Sequence, residues 1–191
     1  MVQDSVLLVG STEKSCALLW ALVPPGSFAG MKLCRSGGEA RRAAAVSAYD
    51  LVVINTPLSD ESGLELALEM ARQSVSGVML LVKADLAEAV AAHVEERGVL
   101  VLSKPVSKAL FDQALRFSRI ARGRMLALKQ ENDRLERKLA ELRLVDRAKC
   151  VLIQHLGMTE EQAHRHMEKQ AMDTRQTKAD VARTILSTYE L

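Results

Sequence analysis

The chain has 191 residues, of which 48% are hydrophobic, 26% are charged and 3% are aromatic. These proportions are ordinary for a soluble globular protein, and the length allows one large or two small domains. Apolar runs stay well short of the roughly 18 residues that span a bilayer, and the first residues lead into a strand pattern rather than a signal peptide. We therefore expect a cytoplasmic protein without membrane association.

The net charge of +2 is unevenly distributed, because residues 119–150 hold ten basic and five acidic side chains. A basic patch of this kind is typical both of a polyanion-binding surface and of a solvated helix face. The three cysteines, Cys16, Cys34 and Cys150, are isolated and lack CxxC spacing, so we expect them to be reduced and mostly buried. The sequence predicts no metal and no cofactor.

Five short apolar runs alternate with amphipathic helices in the first half of the chain. The predicted strands are 5–9, 31–33, 51–54, 78–82 and 99–102. The predicted helices are 12–22, 38–48, 63–72 and 86–97. This alternation indicates an α/β domain with a doubly wound, parallel five-stranded sheet covered on both faces. Ligands of such sheets bind at the carboxyl ends of the strands.

Two stretches of this half carry a family resemblance, DLVVINTPLSDESGLEL at 50–66 and SKPVS at 103–107. They resemble the response-regulator receiver domain, which implies a degenerate receiver over residues 1–118. The resemblance implies a phosphoacceptor aspartate after the third strand, an acidic pair after the first, a Ser or Thr after the fourth and a lysine after the fifth. The corresponding residues here are Asn55, then Gly10 and Ser11, then Val82, and finally Lys104.

Of these positions, only Lys104 keeps the residue of the family. An amide is a poor nucleophile beside a carboxylate, and Gly10 and Ser11 offer no carboxylate oxygens to Mg²⁺. Val82 cannot donate a hydrogen bond to a phosphoryl oxygen. We therefore predict a pseudo-receiver that is not phosphorylated at Asn55 and instead serves as a docking or dimerisation module for a sensor or regulator protein.

Three details complete this prediction. The aromatic switch position of the family holds Val101, so the relay from phosphate to the signalling surface is missing. Lys104 is expected to hydrogen-bond to Asn55 or to cap nearby carbonyls. Asp60 is a less favoured phosphorylation site, because it lies in the following loop without acidic partners.

A heptad pattern follows in residues 119–144, which we interpret as a coiled-coil linker helix. Leucines occupy the d positions and one a position, an asparagine occupies a second a position, and Met125 occupies a third: Leu128, Leu135, Leu142, Leu139 and Asn132. A narrow apolar stripe with an a-position asparagine favours a two-stranded assembly, so we predict a homodimer. The alternative is a surface helix that packs on its own domain.

The direction of the predicted coiled coil stays open. A parallel pair would bring residues of like charge together between the helices, whereas an antiparallel pair would bring Lys129 near Glu136 and Glu131 near Lys138. Because surface ion pairs contribute about 0.2–1 kcal/mol each, these contacts bias the direction without deciding it.

The remaining residues, 145–191, predict an all-α domain of three helices. The linker helix can begin near residue 107 and continue to about 156, with Gly123 as a possible bend, and Gly157 ends it. Thr159 opens a second helix with a capping box, and Thr177 opens a third. The predicted inward residues are Ala148, Val151, Leu152, Leu156, Ala163, Met167, Ala171, Val181, Ala182 and Ile185.

Four short segments between 145 and 186 carry a second resemblance: Arg147-Ala-Lys149, Gly157 to Ala163, Gln170-Ala-Met-Asp173 and Ala179-Asp-Val-Ala182. They resemble the ANTAR domain, the RNA-binding antiterminator module of certain response regulators. Receiver, coiled coil and ANTAR in this order resemble the amidase-operon type of antiterminator. The resemblance implies a dimer that binds paired stem-loops in a nascent transcript and prevents formation of the terminator hairpin. Cys150 departs from the glycine that the family commonly has there.

Seven cations of this region are the predicted RNA-binding residues, since phosphates and splayed bases suit Arg and Lys side chains. They are Arg143, Arg147, Lys149, Arg165, Lys169, Arg175 and Lys178. A protein-interaction scaffold with a helical assembly tail is the alternative function, and a DNA-binding regulator is a weaker one because no helix-turn-helix spacing is visible. None of these functions is enzymatic. His164 and His166 do not share a helical face, which disfavours a histidine metal site.

Overall fold

The computed structural model describes residues 4–189. These residues form two compact units, divided between Ala127 and Leu128. One long helix, α5, runs from Lys108 to Leu156 and so contributes to both units. Gly123 lies inside this helix. Among the described residues, no helix combines the length and the apolar character that crossing a bilayer requires.

The first unit is built on a parallel five-stranded sheet. Its strands are β1 Ser5–Val9, β2 Gly30–Cys34, β3 Leu51–Asn55, β4 Gly77–Lys83 and β5 Val99–Lys104. They pair in the order β2-β1-β3-β4-β5. The predicted doubly wound, receiver-like sheet is confirmed. β3 to β5 end later than the apolar runs that predicted them, because the polar residues Asn55, Lys83 and Lys104 still pair within the sheet.

Four further helices belong to this unit. They are α1 Glu13–Leu22, α2 Gly37–Val46, α3 Leu64–Gln73 and α4 Ala84–Val94, and α4 is followed by a 3₁₀ turn at Glu95–Arg97. The hydroxyl of Thr12 accepts a hydrogen bond from the Ser15 backbone N–H at the start of α1, and Ser36 does the same for Glu39 at the start of α2. Such caps satisfy N–H groups that the first helical turn leaves free, and they fix where each helix begins.

The sheet separates two apolar cores, because successive strand residues point to opposite faces. One core joins strand residues such as Leu8 and Val53 to α1 and to the start of α5, where Phe111 is fully buried. The other joins Ile54 and Leu80 to α2, α3 and α4. Together they fix the carboxyl ends of the strands, where the predicted phosphoacceptor site lies.

The second unit packs the end of α5 against α6 Glu160–Thr174 and α7 Lys178–Tyr189. Gly157 has a positive φ of 66° just after α5, a conformation in which glycine carries no steric penalty. The predicted capping box of α6 is present, with reciprocal hydrogen bonds between Thr159 and Gln162. The three predicted helices are therefore confirmed.

The core of this unit contains eight of the ten predicted inward residues as buried side chains, Ala148, Val151, Leu152, Ala163, Met167, Val181, Ala182 and Ile185. Ala171 is partly buried against them. Leu156 was predicted wrongly: it is exposed, as the last residue of α5 before the chain turns at Gly157. Cys150 was also predicted wrongly, because it is exposed while Cys16 and Cys34 are buried. It lies on the opposite side of α5 from Ala148 and Leu152.

Candidate functional site

The predicted phosphoacceptor site lies at the carboxyl ends of β1, β3 and β5. Asn55 is the last residue of β3 and is 6% exposed. Its Oδ1 accepts a hydrogen bond of 3.0 Å from Lys104 Nζ, and its Nδ2 donates one of 2.9 Å to Ser15 Oγ. Lys104 also donates to the backbone carbonyl of Thr56. The expected hydrogen bond between Lys104 and Asn55 is confirmed.

The Lys104 ammonium has neutral partners in this site. Among residues 4–189 it forms no ion pair with a carboxylate, and the amide of Asn55 stands where the family has an aspartate. Burial lowers the pKa of Lys104 from its usual value, and the neighbouring positive charge of Lys83 lowers this pKa further. Lys83 and Lys104 are register partners on β4 and β5. The site is therefore cationic, whereas the acidic residues implied by the receiver resemblance would make it anionic.

A serine of α1 fills the place beside Gly10, where the family has an acid. A Cβ atom built on Gly10 would lie 2.4 Å from Ser15 Oγ and 3.1 Å from Leu19 Cδ1. Any larger side chain at position 10 thus requires Ser15 and Leu19 to move. The Ser11 hydroxyl is buried and has no hydrogen-bond partner among the described residues. The sequence analysis missed Ser15, since nothing in a capped helix start signals contact with a distant strand.

The remaining predicted positions of the site are Val82, Val101 and Asp60. Val82 is 3% exposed in the core beneath α3 and α4, and Val101 is partly buried against the same core. Asp60 accepts hydrogen bonds from the backbone N–H groups of Gly37 at 2.9 Å and Gly38 at 3.0 Å. These hydrogen bonds lower the pKa of Asp60, and the bond from Gly38 has the larger effect. The Asp60 carboxylate therefore stabilises the start of α2.

We predict that restoring the aspartate at position 55 alone does not restore phosphorylation. Asn55→Asp places a carboxylate beside Lys104, where it forms an ion pair, yet Mg²⁺ still lacks the acidic pair at positions 10 and 11. Gly10→Asp in addition should lower the melting temperature, because the new side chain collides with Ser15 Oγ. Mass spectrometry after incubation with acetyl phosphate and Mg²⁺ should find the Asn55→Asp variant unphosphorylated. A phosphoryl adduct on the aspartate introduced at position 55 would contradict this account.

The heptad leucines lie on the part of α5 that belongs to the second unit. Their exposed fractions are 67% for Leu128, 46% for Leu135, 54% for Leu139 and 53% for Leu142, and Asn132 is exposed as well. Side chains of this size are rarely left in water in a contiguous row. The predicted alternative, a helix that packs on its own domain, does not account for this exposure.

One ion pair of the linker bears on the direction of a coiled coil. Arg134 binds Glu131 of the same helix through two hydrogen bonds of 2.8 and 2.7 Å. Glu131 was expected to attract Lys138 of an antiparallel partner, and this intrahelical pair competes with that contact. The charge pattern therefore favours the antiparallel arrangement less than the sequence indicated.

Exposed apolar residues also precede the heptad leucines on α5, and Phe117 and Ile120 are the most exposed of them. Phe117 is 63% exposed and Ile120 is 60% exposed, both in the first unit. The sequence analysis missed them because they fall at g and c positions of the heptad.

Three of the predicted RNA-binding cations form ion pairs within the second unit. Lys149, whose side chain is 17% exposed, pairs with Asp146 at 2.8 Å and reaches Glu160 on α6 at 3.4 Å. Asp146 is the main cause of its raised pKa, followed by Glu160. Arg165 pairs with Glu161 and Lys178 with Glu168, each at 2.6 Å.

The other four predicted cations, Arg143, Arg147, Lys169 and Arg175, are exposed. Arg143 and Arg147 lie one turn apart on α5. Arg175 is also the C-cap of α6, in the left-handed conformation with φ 53°. Arg143, Lys169 and Arg175 form no ion pair with any residue in the described part of the chain. The charged groups of these three side chains remain available to an anionic partner.

Comparison with known proteins gives the family context of both halves. The fold of the first unit is similar to the signal receiver domain of an HD domain-containing protein from Pseudomonas fluorescens Pf-5, with a TM-score of 0.59 and 23% identity over 66% of this chain and 94% of that chain. Residues 133–186 match the model of the ANTAR domain family. A domain of receiver-like fold thus precedes the residues that match the ANTAR domain family.

A relative of similar sequence and a second solved structure of similar fold extend this comparison. The transcriptional regulatory protein PdtaR of Mycobacterium tuberculosis is 28% identical over 152 residues, which cover 80% of this chain and 74% of the relative. The chemotaxis response regulator CheY4 of Vibrio cholerae is similar in fold, with a TM-score of 0.53 and 15% identity over 61% of this chain and 98% of that one. Both predicted resemblances, to the receiver and to the ANTAR family, are confirmed.

Proposed function

We propose that this receiver–ANTAR protein is a transcription antiterminator that binds hairpins of a nascent RNA as a homodimer and prevents formation of the terminator. The observation that carries the proposal is the ANTAR match over residues 133–186, on a unit that exposes several cations. Within this proposal, residues 1–118 serve as the receiver module, 119–144 as the coiled-coil linker and 145–191 as the RNA-binding module. A transcript as partner implies a cytoplasmic protein.

The proposed RNA surface centres on four exposed cations of the second unit. Arg143 and Arg147 on α5, Lys169 on α6 and Arg175 after α6 are the principal candidates. Each can neutralise a phosphate and release a counterion, or stack its side chain on an unpaired base. Lys149, by contrast, holds α5 to α6 and contributes mainly to the stability of the unit.

Dimerisation is part of the proposal because one unit offers few cationic contacts. In a dimer joined through the heptad leucines, the second units of the two chains would bind two hairpins of one transcript. The second hairpin would then bind at high effective concentration. The exposed Leu128, Leu135 and Leu139 support this assembly, since pairing removes their apolar surface from water.

The receiver-like unit is proposed to bind a sensor or regulator protein without phosphorylation. The cationic site around Lys104 and the amide at position 55 support this part, because neither supplies the nucleophile or the metal ligands that acyl phosphate chemistry needs. Control of the antiterminator would then come from association with that partner.

Binding to a short leader RNA with two hairpins tests the proposal. We expect retention on a filter by the full chain, with affinity that falls as salt rises, because phosphate contacts release counterions. A scrambled RNA of the same length and a duplex DNA are the controls. Equal retention of all three would contradict hairpin recognition, and stronger competition by the DNA would favour a DNA-binding regulator.

A further inference from the structure

A cleft beside the phosphoacceptor site joins a cation to an apolar wall. It measures about 580 Å³ and lies between α1, the end of β3 and the end of β5. Its lining includes Lys14, Ser15, Leu18, Ala21, Pro57 and Lys104 and contains no acidic residue. Two of these residues are lysines, so the cleft is complementary to an anion.

Two hydrogen-bond donors at the head of the cleft are held by the same amide. Lys104 Nζ donates to Asn55 Oδ1 and to the Thr56 carbonyl, which leaves its third proton without an acceptor among the described residues. Ser15 Oγ accepts from Asn55 Nδ2, and its own proton likewise has no acceptor among residues 4–189. Both groups therefore flank the same amide, and both line the cleft.

The chemistry of this head fits a carboxylate. One ammonium and one hydroxyl can each donate to one carboxylate oxygen, and the single charge of such a ligand offsets the repulsion between Lys104 and Lys83. A phosphate dianion has more acceptor oxygens than the two donors, Lys104 Nζ and Ser15 Oγ, can satisfy. Away from these two donors, the cleft is lined by the apolar side chains of Leu18, Ala21 and Pro57, which suit a ligand with an apolar chain.

We propose that this cleft binds a small carboxylate with an apolar body, whose carboxylate group lies on Lys104 and Ser15 and whose apolar part lies along Leu18, Ala21 and Pro57. Binding is non-covalent and needs no metal. The replacement of the acidic pair by Gly10 and Ser11 and of the phosphoacceptor by Asn55 makes this possible, since the acids would occupy Lys104 and repel the ligand. The receiver-like unit thereby acquires a ligand site where the receiver family has acidic residues.

Titration of the full chain with hexanoate, followed by NMR or calorimetry at constant ionic strength, tests the proposal. Two controls separate the parts of this probe. Acetate has the carboxylate without the long alkyl chain, and hexanol has the alkyl chain without the carboxylate. We expect hexanoate to bind about tenfold more tightly than either control, because charge and apolar contact act together. Equal weak binding of hexanoate and acetate would overturn the apolar part of the proposal.

Three variants separate the site from general electrostatic attraction. Lys104→Met should reduce hexanoate binding at least tenfold, and Ser15→Ala should weaken it several-fold. Asn55→Asp keeps Lys104 but supplies an internal carboxylate, so it should also abolish binding. As a control, Lys138→Met makes the same change of charge on the exposed face of α5 and should leave binding unchanged.

The outcome that overturns the proposal is binding by Asn55→Asp as strong as that by the unaltered chain. Circular dichroism confirms that each variant is folded before titration, so loss of folding cannot be mistaken for loss of the site. RNA binding is measured on the same samples. Failure of the carboxylate site is therefore distinguishable from failure of the proposed antiterminator function.

Discussion

The triple substitution Leu128→Glu, Leu135→Glu and Leu139→Glu should convert a dimer into a monomer and weaken RNA binding on the order of 100-fold. The leucines are about half or more exposed in the single chain, so the change should leave its folding intact. In a dimer it places like charges where apolar side chains meet, which disfavours assembly. Loss of the second hairpin contact then removes the gain from bivalency. Sedimentation equilibrium and filter binding measure the two effects.

A matched control carries the same charge change on the other side of the helix. Ala127, Gln130 and Ala140 are exposed and lie outside the leucine stripe, so their substitution by Glu should leave the dimer intact. Weaker RNA binding by both variants to the same extent would show that added negative charge, rather than dissociation, is responsible. A triple leucine variant that stays dimeric would contradict the assignment of α5 as the dimer contact.

The second large effect is expected for the three cations that form no ion pair within residues 4–189. Arg143→Gln, Lys169→Gln and Arg175→Asn should together lower RNA affinity more than tenfold and reduce the slope of log affinity against log salt by about 2, because each phosphate contact to single-stranded RNA contributes about 0.7. Asn is chosen at 175 because it tolerates the left-handed conformation of that residue. Filter binding at several salt concentrations gives both quantities.

Removal of whole ion pairs is the control for this experiment. Arg165 with Glu161, and Lys178 with Glu168, change to Gln in one variant, which keeps the net charge constant. We expect a small change in affinity and in the salt slope. A slope that falls as much as in the first variant would mean that the paired cations also contact phosphate.

Local rules of sequence accounted for most of the elements. The order of strands and helices follows from apolar runs that alternate with amphipathic segments, and helix boundaries follow from caps such as Thr159 and from Gly157. The loss of receiver chemistry was visible too, because it depends on residue type at Asn55 and its neighbours. These features are determined within a few residues of chain, where spacing and side-chain chemistry act directly.

The tertiary structure determined which neighbours each polar and apolar side chain contacts. Ser15 closes the space beside Gly10 through packing of α1 on the sheet, and Lys149 is drawn to Glu160 across a helix pair. Cys150 is exposed because of its orientation around α5, and Leu156 is exposed because it is the last residue of that helix. The sequence by itself determined which elements form and which chemistry is lost. Only the packing of helices, which depends on contacts that no local pattern encodes, determined the ion pairs between helices, such as Lys149 with Glu160 and Lys178 with Glu168, and the cleft beside Asn55.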